Sequence, residues 1–269
     1  MKKKLIIALI IIFVIAIIIY GIFYIRNMNK VAVLCYHNIA KAEEKSNFPD
    51  ESEFVIDVNN FEEHLKFFKR NNYKTLTMDE FNDWKQGKLK IPQNSVLITF
   101  DDGFLSNYQY AFPLLKKYNM NATVFVVGKY AAESKETEWN GNVKTYMPAN
   151  LILKLKDEYP NIDICSHSYD LHYRESLKEN NADEVHDDAV LYSVLLGNTK
   201  YFAYPFGEYN NALINGLKDY NYELAFIYGP NKHDYRKASL NDDNFKIPRL
   251  NVSSGMEIWK LALRLWVWD

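Results

Sequence analysis

Cysteine, glycine and proline are scarce in this chain, and neither sign of charge prevails. Two cysteines in 269 residues are too few for a disulfide framework. Cys35 and Cys165 each lie in an apolar, strand-like run, so buried free thiols are expected, with a single bridge between them as the alternative. No stretch is rich enough in proline or glycine to divide the chain after residue 30 into two domains, and there is no internal repeat or low-complexity tract. A formal net charge of -2 leaves no basic excess, which argues against a nucleic-acid partner. Aromatic residues are plentiful instead, at 15%, enough for a thick core with rings to spare for a binding groove.

One long hydrophobic run stands at the start. Met1-Lys2-Lys3-Lys4 precedes an uncharged apolar stretch from Leu5 to Ile25 that ends at Arg26. As a helix it spans roughly 30 Å, the thickness of a bilayer's hydrocarbon core. A cleavable signal would be shorter and end in small residues, whereas Tyr20-Gly21-Ile22-Phe23-Tyr24 is bulky. Residues 1–29 are therefore expected to form a cytoplasmic tip and an uncleaved transmembrane anchor. The three lysines place the N-terminus inside, a signal weakened but not reversed by Arg26 and Lys30, so residues 30–269 are expected outside the cell membrane.

Beyond the anchor, short apolar runs alternate with amphipathic stretches. Strands are expected at 31–36, 74–76, 96–100, 122–127, 162–166, 200–204, 222–227 and 245–250. Helices are expected at 60–71, 78–86, 105–118, 148–158, 183–196, 210–219 and 255–267. Several strands are apolar throughout, as strands buried on both faces are. The alternation predicts a parallel α/β architecture, a barrel or a doubly wound sheet. Thr77 with Glu80, and Ser254 with Glu257, have capping-box spacing, and Asn59 with Glu62 could open the first helix. The polar stretches 39–54 and 131–146 read as surface loops. The run from Trp259 to Trp268 reads as a last helix packed on the domain, ahead of contact with a membrane interface or with sugar.

Four strand ends carry candidate chemistry. Thr99-Phe100-Asp101-Asp102-Gly103 runs a buried strand into two adjacent carboxylates, which repel unless a cation or strong donor is near. By itself this is also an ordinary turn. His167-Ser168-Tyr169-Asp170-Leu171-His172 puts two histidines at another strand end. A separation of five sets them on opposite faces of a strand and about 140° apart on a helix, so they converge only if the chain bends after His167. Two imidazoles and one carboxylate suit a catalytic zinc site. In Ala203-Tyr204-Pro205-Phe206-Gly207 the strand breaks, and the Phe206 amide could serve as an oxyanion donor. Tyr36-His37 ends the first strand, where His37 suits a general acid. His64, His186 and His233 are expected to face solvent.

Together these segments resemble the polysaccharide deacetylase family with the NodB homology domain (carbohydrate esterase family 4). Within it they are most similar to the intercellular-adhesin type that deacetylates poly-β-1,6-N-acetylglucosamine. The resemblance implies a distorted (β/α) barrel of about seven to eight parallel strands, circularly permuted, with its motif core at about 94–269. It implies Asp101 as catalytic base and Asp102, His167 and His172 as ligands of a divalent metal, zinc first, with cobalt or nickel as alternatives. The family's motif-three arginine is replaced by Ala203, and Arg249 in Ile247-Pro248-Arg249 is the candidate to supply that charge. The role of the family's late histidine passes to His37. Tyr36, Tyr204 and Pro205 are candidate substrate contacts. The expected activity is metal-dependent N-deacetylation of an extracellular amino-sugar polymer of a biofilm matrix. Peptidoglycan or chitooligosaccharide is the alternative substrate, and an inactive carbohydrate-binding surface protein is the rival of another class.

Overall fold

The computed structural model of the protein describes residues 2–27, 29–46, 53–172, 182–228 and 236–267. His233, Trp268 and part of the stretch 39–54 lie outside the described residues. The first helix, α1 (Lys2–Asn27), turns its described large apolar side chains from Leu5 to Ile19 outward, each 46–66% exposed. Among the described residues no helix is long and apolar enough to cross a membrane.

Strand β1 (Lys30–Tyr36) opens the domain and is buried from its second residue on. It leads into a two-stranded parallel pair, β2 (Asn38–Ala40) with β3 (Val55–Asp57). The main sheet continues with β4 (Lys74–Thr75), β5 (Ser95–Phe100), β6 (Ala122–Val126), β7 (Ile162–Ser166), β8 (Tyr201–Ala203) and β9 (Leu224–Phe226). It ends with β10 (Ala238–Ser239) and β11 (Leu250–Asn251). Every pairing within it is parallel except that of β10, which runs antiparallel to the start of β1. The path β1-β5-β6-β7-β8-β9 returns toward its beginning, because Ile247 bridges Phe226 and Leu250 pairs with Leu34.

The helices are α2 (Ala42–Ser46), α3 (Val58–Arg70), α4 (Met78–Lys85), α5 (Phe112–Tyr118), α6 (Gly128–Glu133), α7 (Ala149–Glu158), α8 (Ala182–Leu196), α9 (Asn211–Asp219) and α10 (Ile258–Val267). Alternation with period two sorts the strand residues between two cores. Val31, Val33, Leu97, Phe125, Cys165, Ala203, Leu224 and Phe226 pack into the inside of the curve, where α4 adds Met78, Phe81 and Trp84. Ala32, Leu34, Tyr36, Val96, Ile98 and Phe100 face outward against Phe61, Leu65 and Phe68 of α3 and Leu261 of α10. This two-sided burial is why the strands read as continuous apolar runs. Both cysteines are buried and free.

Several expectations need correcting. The stretch 39–54 is not all surface loop, since Ile39 and Ala40 are fully buried in β2. The stretch 131–146 begins inside α6 and buries Val143. The strand expected at 245–250 shrinks to an isolated bridge and β11, because Pro248 offers no amide to a ladder. The helix expected at 105–118 forms over that stretch, with a π-helical segment, Asn107–Ala111, inside it. Asp57, not Asn59, caps α3, by accepting the Asn59 N–H. The Thr77–Glu80 capping box forms, whereas α10 begins only at Ile258, so Ser254 does not cap it. His64 does not face solvent; it is fully buried between the Tyr36 hydroxyl at 3.0 Å and the Met256 carbonyl at 2.8 Å.

Candidate active site

Parallel strands deliver their C-terminal residues to one end of the sheet. There β1 hands on to His37, β5 to Asp101 and Asp102, β7 to His167, β8 to Phe206 and β9 to Tyr228. These residues, with Phe54, Phe104, Tyr146 and His172, line a cavity of about 270 Å³.

Asp101 is 2% exposed, and its backbone N–H donates to the Tyr36 carbonyl. Arg249 is 1% exposed and grips both carboxylate oxygens, at 2.6 and 2.7 Å, a fork matched to a planar carboxylate. Its Nε donates to the Ile227 carbonyl, and the guanidinium lies over the Phe125 ring at 5.6 Å. Burial alone would raise the Asp101 carboxyl, but the Arg249 charge and nearby imidazoles hold it below the ordinary carboxylate value. The segment that closes the sheet thus brings in a guanidinium that no residue of motif three supplies.

Asp102 and Gly103 both take positive φ, 70° and 77°, so the chain reverses between the two carboxylates. Asp101 stays with Arg249 while Asp102 turns toward the histidines. Asp102 Oδ1 lies 3.1 Å from His172 Nε2 and 3.4 Å from His167 Nε2. Burial raises the Asp102 carboxyl, yet bonding to both imidazoles takes it well below the usual range.

The donor set fits a cation. His167 Nδ1 lies 2.8 Å from the Ala203 carbonyl, which can only accept, so Nδ1 carries the proton. With Nδ1 engaged there, Nε2 is the ring nitrogen turned to Asp102, and a cation between the two would take its lone pair and the carboxylate oxygen together. His172 Nδ1 meets the Tyr130 hydroxyl at 3.3 Å, completing the outer partners that orient metal-binding imidazoles. The ligand atoms of Asp102, His167 and His172 all lie within 4.8 Å of one another. Cys35, His37 and Asp101 form a second such group. There Asp101 already holds Arg249 and burial keeps the Cys35 thiol protonated, which disfavours a cation.

His37 packs its ring against Phe54 at 5.0 Å and Tyr228 at 5.7 Å, and its buried Nδ1 has no hydrogen-bond partner among the described residues. Burial lowers its basicity, opposed by the charges of Asp102 and Asp101. Phe206 adopts φ 58°, with its ring 4.8 Å from that of His172. The turn is tight, since a Cβ on Gly207 would come within 1.8 Å of the Tyr228 carbonyl oxygen.

Tyr36, Tyr204 and Pro205 do not reach the cavity wall. Strand alternation turns Tyr36 outward to His64, and the Tyr204 hydroxyl donates to the Phe245 carbonyl in the core, while Pro205 is buried. The aromatic wall comes instead from Phe54, Tyr228 and the stacked pair Phe104–Tyr146, at 4.9 Å. His186 is on the outside of α8 and takes no part.

The family model of polysaccharide deacetylases matches residues 88–225. The poly-beta-1,6-N-acetyl-D-glucosamine N-deacetylase of Staphylococcus epidermidis is 28% identical over 251 residues, covering 84% of this chain and 80% of that protein. Among solved structures, the Streptococcus pyogenes deacetylase PplD in complex with acetate superposes with a TM-score of 0.72 at 21% identity, over 88% of this chain and 98% of that one. IcaB from Ammonifex degensii gives 0.68 at 24% identity, over 89% and 98%. With the family match extending over more than half its length, this chain belongs to the polysaccharide deacetylases.

Proposed function

We propose that this enzyme removes N-acetyl groups from extracellular poly-β-1,6-N-acetylglucosamine, using a divalent metal held by Asp102, His167 and His172. The observation that carries the reading is one cavity holding both the Arg249-gripped Asp101 and the convergent Asp102–His167–His172 set. Zinc suits two imidazoles and a carboxylate, with cobalt and nickel as substitutes. When bound, the cation polarises the acetyl carbonyl and makes water more acidic. Asp101, kept ionised by Arg249, takes the proton of the attacking water. The Phe206 backbone N–H, at the cavity wall, donates to the carbonyl oxygen as charge develops there. His37 gives a proton to the departing amine, so acetate and a free amino sugar leave. The aromatic wall offers flat faces for sugar rings.

The linkage assigned to the substrate is supported by the staphylococcal relative and by the early Tyr36-His37, which suits a circularly permuted NodB-type barrel. In the same reading residues 1–29 anchor the enzyme in the cell membrane, N-terminus inside, with 30–269 outside. The apolar run of Leu5 to Ile25 and the outward-facing side chains of α1 support this.

Acetate release from poly-β-1,6-N-acetylglucosamine, peptidoglycan and chitooligosaccharides, measured side by side with the zinc-loaded protein, tests the assignment. The β-1,6 polymer should be turned over fastest. A preference for either of the others would overturn the linkage, and release from none would favour a binding protein without activity.

A further inference from the structure

Two histidines five residues apart do not converge on any regular backbone, so something must shape the loop between them. We propose that Asp188, on α8, is the positioning residue that holds this loop in its metal-binding form; the inference rests on the metal site proposed above. The Asp188 carboxylate is 7% exposed. Its Oδ2 accepts the Tyr169 N–H at 2.8 Å and its Oδ1 the Asp170 N–H at 2.7 Å. Two successive amides between the two histidines therefore donate to one carboxylate.

The carbonyl side of the loop is held from the opposite direction. Ser168 takes φ 68°, and its carbonyl accepts the Gly128 N–H at 3.0 Å, while the Tyr169 carbonyl accepts the Lys129 N–H at 2.8 Å. A Cβ at Gly128 would come within 2.6 Å of the Tyr169 ring, so α6 sits hard against the loop. Loop amides buried this way must find acceptors, and an ionised one binds roughly twice as strongly as a neutral one. Burial raises Asp188 to about 6 against the pull of those amides, so it is ionised at neutral pH.

Asp188 is itself fixed. Val185, Ala189 and Tyr192 share its face of α8 and are buried, and the Tyr192 hydroxyl donates to the Cys165 carbonyl at 2.7 Å, next to the strand end that carries His167. By contrast the Lys129–Asp170 ion pair on the loop's surface has side chains 41% and 44% exposed and contributes little. Metal geometry is thus set by a helix that supplies no ligand.

The test uses the full chain, stripped of metal at neutral pH, as parent, Asp188→Asn, Asp187→Asn and His167→Ala. Zinc affinity is read by competition with a chromophoric chelator, and backbone exchange of residues 168–171 by hydrogen–deuterium mass spectrometry. Asn keeps the shape but loses the charge and turns an amino group toward the loop. Asp188→Asn should bind zinc about 10- to 100-fold more weakly, as loss of an outer partner does, and should exchange the loop amides faster. Asp187→Asn, whose side chain is 83% exposed, should match the parent. An Asp188→Asn protein that folds and binds zinc like the parent overturns the inference, whether or not its loop exchanges faster. A failure of the metal site itself shows differently, as a parent no better than His167→Ala, and takes the inference with it.

Discussion

Arg249→Met is expected to destabilise the protein by about 3–5 kcal/mol, because it leaves a buried carboxylate with its charge uncompensated. The pair is 1% and 3% exposed at the side chains, so solvent does not screen it. The substitution should also move the acid limb of activity. With Arg249 present, Asp101 titrates below its ordinary value, so the base stays ionised and its contribution to stability fades only as pH falls through that lowered value. Without the guanidinium, burial dominates and the carboxyl titrates higher. Activity should then fall at a higher pH than in the parent. Urea unfolding and a pH–rate profile check both parts. An unchanged acid limb would show that Arg249 does not set the charge of the base.

Asp101→Asn should lower kcat by about 10²- to 10⁴-fold, the range for loss of a positioned general base. The amide keeps the shape and can still accept one hydrogen bond from Arg249, but it leaves the buried guanidinium uncompensated, so a stability loss of about 3–5 kcal/mol is expected beside the kinetic one. Zinc affinity should stay close to the parent's, since Asp102, His167 and His172 are untouched. Single-turnover acetate release, with zinc binding measured on the same sample, separates the two effects. Retained turnover would remove Asp101 from the proton transfer, and lost zinc binding would make it a ligand.

The strand ends that build the cavity were readable in the sequence because buried parallel strands print continuous apolar runs, and each run stops at its polar residue. The four segments bearing His37, Asp101–Asp102, His167–His172 and Phe206 all lie where those runs placed them. What escaped was set by contacts distant in sequence. β10 is two residues long and has no periodicity to detect, and of the strand expected at 245–250 only its end survives, in β11. The aromatic wall joins Phe54, Tyr146 and Tyr228, which no spacing links.

One misreading and one omission did leave a signal. His64 falls between Phe61, Leu65 and Phe68 on the apolar stripe of α3, and Asp188 between Val185, Ala189 and Tyr192 on that of α8. A polar residue set within a helix's apolar face is turned inward with its neighbours and must be satisfied there. His64 orients Tyr36, and Asp188 holds the histidine loop.

The most direct test of the account is a zinc titration of the metal-free protein, following acetate release from a β-1,6-linked N-acetylglucosamine oligomer. The rate should rise from near zero in proportion to added zinc and break at one equivalent, with no rise in His167→Ala. Full activity in the metal-free protein, or a rise that His167→Ala shares, would contradict hydrolysis at this site.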